Sequence, residues 1–163
     1  MGLIAAGHKM LASELNITTA HYYSTNSTIT VAASGGSAVV PYDVTVTTST
    51  DITASGTGNT LFTINRAGLY IVEATSRGNF GTIPTTGSLY TFINKLSASL
   101  NLARNSYRAP INNMIIPNVQ TMYSFAVNDT IQITLLNNTN QIYSVHNDFA
   151  ELSHISFTRL QAA

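Results

Sequence analysis

Leu61-Phe-Thr-Ile-Asn-Arg-Ala-Gly-Leu-Tyr-Ile-Val72 is the stretch that decides the fold. Phe62 and Ile64 alternate with Thr63 and Asn65, the period-two pattern of a half-buried strand. Arg66-Ala-Gly68 then punctuates the run, and a second β-rich run, Leu69–Ser76, follows at once.

The same grammar continues on both sides. Further candidate strands are Thr28–Ala33, Val39–Thr47, Asn59–Asn65, Leu89–Asn94, Ala98–Arg104, Met114–Ile116, Thr121–Val127, Thr130–Asn137, Gln141–His146 and Leu152–Leu160. Alternation is clearest in Thr130–Leu135, where Ile131, Ile133 and Leu135 share one face. Gly35-Gly36, Gly56-Thr-Gly58 and Asn128-Asp129 supply residues that tolerate positive φ at turns. About ten short strands without crossover helices predict an all-β sandwich or barrel. There is no repeat of fixed period and no linker that would split the chain.

Charge is scarce. Only 9% of the 163 residues are charged, and seven basic residues cancel seven acidic ones, against about 25% charged residues in ordinary soluble domains. A neutral chain has no field to gather nucleic acid or to hold an anionic membrane. Thr, Ser and Asn carry the polarity instead, and a surface with little net charge tends to associate. No apolar run approaches the ~18 residues of a membrane-spanning helix, and Met1–Ala6 is too short for a signal peptide. The chain has no cysteine, so disulfides and thiolate metal sites are excluded.

Residues 1–19 differ from the rest. Lys9-Met-Leu-Ala-Ser-Glu-Leu15 is the one stretch with helical spacing, placing Met10, Leu11 and Leu15 near one face. One or two turns are unstable alone in water. The segment therefore reads as an arm that docks on a surface through Met10, Leu11 and Leu15, with one β domain over residues 20–163.

Three segments resemble a known family. Leu61–Val72 is similar to the strand–turn–strand signature of tumour-necrosis-factor and complement-globular-head jelly rolls, with Gly68 at the turn and Tyr70 packing inward. Tyr123-Ser-Phe-Ala-Val-Asn-Asp-Thr-Ile-Gln-Ile133 resembles that family's late hairpin. Leu152–Leu160 resembles its terminal strand, which runs through the middle of the inner sheet. Gly81–Pro117 carries no alignable motif. The resemblance implies an antiparallel jelly-roll β-sandwich of about ten strands assembling as a homotrimer. Tyr70, Phe125, Phe157 and His154 would then lie in the core or at the trimer interface. Ala6-Gly-His-Lys-Met-Leu-Ala-Ser-Glu-Leu-Asn16 resembles the opening segment of many bacteriophage tail, fibre and other virion proteins.

Sites for chemistry are sparse. There is no nucleophile elbow and no phosphate loop, and the carboxylates are scattered, so no catalytic residues and no cofactor are expected. His146, Asp148, Glu151 and His154 are the one cluster of metal-ligand types, and a polar loop before the last strand explains them without a metal. Arg104-Asn-Ser-Tyr-Arg108 offers Arg104, Tyr107 and Arg108 to a glycan or phosphate, or to a subunit interface.

These readings predict a trimeric structural protein at a phage virion surface. It would be bound to the major capsid protein or another virion protein and would stabilise it. The alternative is a receptor- or glycan-binding head of a fibre, using loops such as Arg77–Gly87 or Arg104–Asn113 to meet a host-surface glycan. A complement-like protein of a bacterial or spore surface is a third class.

Overall fold

The computed structural model describes residues 18–25, 29–112, 114–145 and 153–162. Met10, Leu11, Leu15, His146, Asp148 and Glu151 lie outside the described residues. The elements are β1 (Thr18–Tyr23), β2 (Thr30–Val31), β3 (Gly36–Val39), β4 (Val44–Thr47), β5 (Ile52–Ser55), β6 (Leu61–Ile64), β7 (Gly68–Thr75) and β8 (Gly78–Phe80). They continue with β9 (Ser88–Lys95), a 3-10 turn (Leu96–Ala98), β10 (Leu100–Arg108), β11 (Met114–Ile115), β12 (Asn118–Phe125), β13 (Thr130–Asn137), β14 (Tyr143–Val145) and β15 (His154–Ala162).

Two antiparallel sheets carry the architecture. One has the order β12-β7-β15-β1-β4; the other has the order β10-β9-β13-β6-β5, with β3 also paired to β13. A small sheet, β11-β8-β14-β2, forms where β7 gives way to β8 and β11 to β12. The terminal strand β15 lies in the middle of the five-stranded sheet, as the family resemblance implies.

Side-chain alternation builds the core. β13 reads polar-out and apolar-in from Thr130 to Leu135, burying Ile131, Ile133 and Leu135, before Leu136 faces out and Asn137 is buried at its end. β7 buries Tyr70, Val72 and Ala74, and β15 buries Ile155 and Phe157. Phe62 of β6 is the hub between the sheets, with ring centroids 5.0 Å from Tyr22 and 5.1 Å from Phe157. Burying each such side chain contributes about 1.5–3 kcal/mol.

One charged pair crosses this core. Arg159 of β15 is 1% exposed and Asp51, just before β5, is 4% exposed. Their Nη1 and Oδ2 atoms are 3.5 Å apart, so the pair ties the centre of one sheet to the edge of the other. Its neighbour Tyr70 donates to the Arg66 carbonyl at 2.7 Å. Burial, and then the Asp51 charge, push the Tyr70 hydroxyl up to about 12.

The turns correct several sequence expectations. Val39–Thr47 is no single strand: it takes in only the end of β3 and then β4, with Pro41, which has no N–H for a ladder, between them. Strands β1, β5 and β8 were not anticipated, and Thr18 and Thr19 open β1 rather than closing the arm. Gly68 opens β7, paired with Phe125 and Ala162, and has no positive φ. The left-handed positions are elsewhere, as at Asn128 with φ 68° in the turn between β12 and β13. Gly87, with φ +83°, is held so close to the chain at Asn138 that an added Cβ would meet its carbonyl oxygen at 2.0 Å.

Candidate functional site

Strand alternation leaves each main sheet with one outward face, and these two faces are the candidate surfaces. On the five-stranded sheet, Ile71 and Glu73 of β7 point away from the core. Register places Met122 beside Ile71 on one side and Thr158 beside it on the other. Met122 is 63% exposed and Leu160 is 38% exposed. A shallow depression of about 250 Å³ lies between Ile71, Gln120 and Met122.

The next row on this face is polar. Gln120, Glu73, Ser156, His21 and Thr47 are consecutive cross-strand partners. The His21 and His154 rings meet edge to face at 5.5 Å. His154 Nδ1 lies 3.1 Å from the Thr75 hydroxyl, while His21 Nε2 is buried with no hydrogen-bond partner among the described residues. Burial, and then the neighbouring His154, hold the His21 imidazolium below its ordinary pKa.

The six-stranded sheet presents a different face. On β9, Leu89, Thr91 and Ile93 are buried, so Tyr90, Phe92 and Asn94 point outward. The Tyr90 and Phe92 rings lie near-parallel with centroids 6.1 Å apart. On β10, Arg104, Ser106 and Arg108 are exposed and stand opposite Phe92, Tyr90 and Ser88. The Arg104 guanidinium covers the Tyr90 ring at 5.6 Å. Thr134 and Leu136 of β13 complete the face, and Asn94 donates to the Thr134 hydroxyl at 2.9 Å.

The site residues expected from sequence fall into different places. Tyr70, Phe125 and Phe157 are at most 2% exposed within one chain, so they belong to its own core. His154 belongs to the outward face of the five-stranded sheet. Arg104 and Arg108 share a face, but Tyr107 is on the opposite side of β10, where its hydroxyl bonds Asn118. The ring beside Arg104 is Tyr90, some 14 residues earlier, brought there by the β9–β10 register. An open depression of about 530 Å³ lies by Ser106, Arg108, Pro110, Ile111 and Ile115. Among the described residues, no group of three His, Asp or Glu side chains converges as a metal site. Nor is any helix among them long and apolar enough to cross a membrane.

Solved structures share this arrangement. Murine APRIL at pH 5.0 superposes with a TM-score of 0.62 at 13% identity, over 89% of this chain and 100% of that one. Eiger TNF from S. frugiperda gives 0.61 at 14% identity, over 90% and 94%. The globular domain of zebrafish complement 1qA protein gives 0.56 at 9% identity, over 89% and 98%. The chain is an all-β jelly roll of this type. No family model and no curated protein matches its sequence, and identities this low carry the fold alone.

Proposed function

We propose that the chain is a non-enzymatic, homotrimeric surface module of a bacteriophage particle, attached to the major capsid protein or another virion protein that it stabilises. The observation behind the trimer is the outward face of the five-stranded sheet. Met122 and Ile71 stand there beside a shallow depression, and His21 has a buried nitrogen with no partner among the described residues. A buried polar atom without a partner costs about 1–3 kcal/mol, and a neighbouring subunit offers both an apolar cover and a partner for it. The scarcity of charge supports the same reading, because few charges must be stripped of water when copies meet.

Attachment to the particle draws on the opening segment, whose resemblance to virion proteins suggests the context and whose Met10, Leu11 and Leu15 would dock. Binding only the assembled shell would stabilise it by mass action. Light scattering tests the oligomer: three times the 17.4 kDa chain mass supports it, and a monomer overturns it. Deleting residues 1–17 spares all of β1. The shortened chain should stay folded and trimeric but fail to bind phage particles; full binding would end the docking role.

The alternative, a receptor- or glycan-binding head, is favoured by one observation, the aromatic and arginine side chains on the other sheet. It is compatible with the trimer, because the two faces point apart.

A further inference from the structure

We infer that the outward face of β9, β10 and β13 binds an acidic glycan, with Phe92 as the stacking surface and Arg104 as the carboxylate fork. The inference rests on the glycan-binding reading, deepens it by naming site and ligand chemistry, and is independent of the trimer.

Charge on this face is one-sided. No strand of the six-stranded sheet, nor β3 beside it, carries an Asp or Glu. Arg104 and Arg108 are exposed there, and neither is in an ion pair among the described residues. A guanidinium presents a planar fork that matches a carboxylate through two parallel hydrogen bonds. Arg104 is already positioned for this, since Tyr90 backs its guanidinium at 5.6 Å. Holding a long side chain beforehand reduces the entropy lost on binding.

The rest of the face suits sugar rings. Phe92 is half-buried, with its ring near-parallel to that of Tyr90. An aromatic face accepts the apolar C–H side of a sugar, while hydroxyl and amide groups around it meet the sugar hydroxyls. Ser106, Thr134 and Asn94 supply those groups. Arg104 and Arg108 are four residues apart on one strand, or roughly 13 Å, so a ligand that reaches both is an oligosaccharide. The open depression beside Ser106 and Arg108 leaves room for the chain to continue.

Single-stranded nucleic acid also stacks on aromatics beside arginine. It needs a positive groove along its backbone, however, and this chain has a net charge of zero. The glycan is therefore the better match.

The full-length protein would be titrated with tetrasaccharides of galacturonic acid and of galactose, with a DNA 12-mer and a tetraglutamate peptide as competitors. The acidic sugar should bind and the galactose chain should bind about tenfold or more weakly. Arg104→Ala and Phe92→Leu should each weaken binding about tenfold, Arg104→Lys should fall between, and Thr45→Ala, on β4 of the other sheet, should change nothing. Unchanged melting of each variant separates lost contacts from lost fold. No binding, equal binding of galactose, displacement by the DNA or the peptide at matched charge, or indifference to Arg104→Ala would each overturn the inference. A monomeric mass with acidic-sugar binding intact would end the trimer reading and leave this one standing.

Discussion

The two outward faces of the sandwich are built from the same alternating strands, yet they differ in what they leave unfinished. The five-stranded face offers Met122 and Ile71 with a histidine nitrogen that lacks a partner among the described residues. The six-stranded face offers two guanidinium groups with no carboxylate partner among the described residues, one of them over the half-buried ring of Tyr90. Apolar area next to a buried polar atom gains from being covered by protein. Exposed cations beside rings are already solvated and gain from a small, charged ligand. The difference teaches that similar strand patterns can prepare one sheet for a subunit and the other for solvent.

The largest expected effect breaks the first face. Replacing Ile71 and Met122 together by Asp places charge at the apolar centre of the proposed contact, where desolvation is costly. Light scattering should show the mass falling to that of one chain, with β structure retained in circular dichroism. Ser106→Asp, on the opposite face, should leave the mass unchanged. If both variants behave alike, the two faces are not functionally distinct.

Next comes the link between the sheets. Asp51→Ala removes the carboxylate that accompanies Arg159 in the core and leaves a cation 1% exposed. Breaking a buried pair from one side costs about 3–5 kcal/mol, to be read from urea unfolding. Restoring apolar character on both sides with Asp51→Ala and Arg159→Met should recover part of that loss.

A smaller effect sharpens the comparison through pH. His21 titrates below its ordinary value of about 6.5 in the folded chain, so the unfolded chain binds more protons just below that pH. Stability then rises with pH through this window and falls as the pH drops below about 6.5. The titratable neighbours on that face are His154 and Glu73. Melting temperatures at pH 7.5 and pH 5.5 should differ more for the native chain than for His21→Asn. Arg104→Ala, on the other face, should keep the native pH dependence.

Much of this fold was legible because the strongest strands carry their own period. β13 matches its expected range, Thr130–Asn137, since every second residue faces the core. β5 and β8 have four and three residues, too few to establish a period; β5 is held by its neighbour β6, and β8 by the distant strands β11 and β14. The site was half legible. Arg104 and Arg108 stood out, but reading Tyr107 with them treated a strand as a loop. Alternation alone puts Tyr107 on the other face. Tyr90-x-Phe92 was the available signal, two aromatics on the polar side of a strand whose other side is Leu89, Thr91 and Ile93. Only the β9–β10 register brings them under Arg104, and register across a hairpin is fixed by the turn and by packing rather than by any one residue.

The smallest effect lies at the rim, where the two sheets meet. Lys95, at the end of β9, sits 2.7 Å from Asp129 and 5.3 Å from the ring of Tyr123 on β12. Burial alone would raise the Asp129 carboxyl. Lys95, the Ala126 N–H and the Ser97 hydroxyl together outweigh it and hold the carboxyl below its ordinary value. That contribution is complete above about pH 3.9 and is lost as the pH falls through the lowered value. Lys95→Ala removes one of the three partners and leaves the two hydrogen bonds of the turn in place. Asp129→Ala also strips the turn of its acceptor for Ala126 N–H and Ser97, and should cost more. Urea unfolding at pH 7 should rank the two in that order, and at pH 2.5 the gap between them should narrow. Equal losses at pH 7 would mean that the lysine, not the turn, accounts for what Asp129 contributes, and the rim would then be an electrostatic clasp rather than a capped turn.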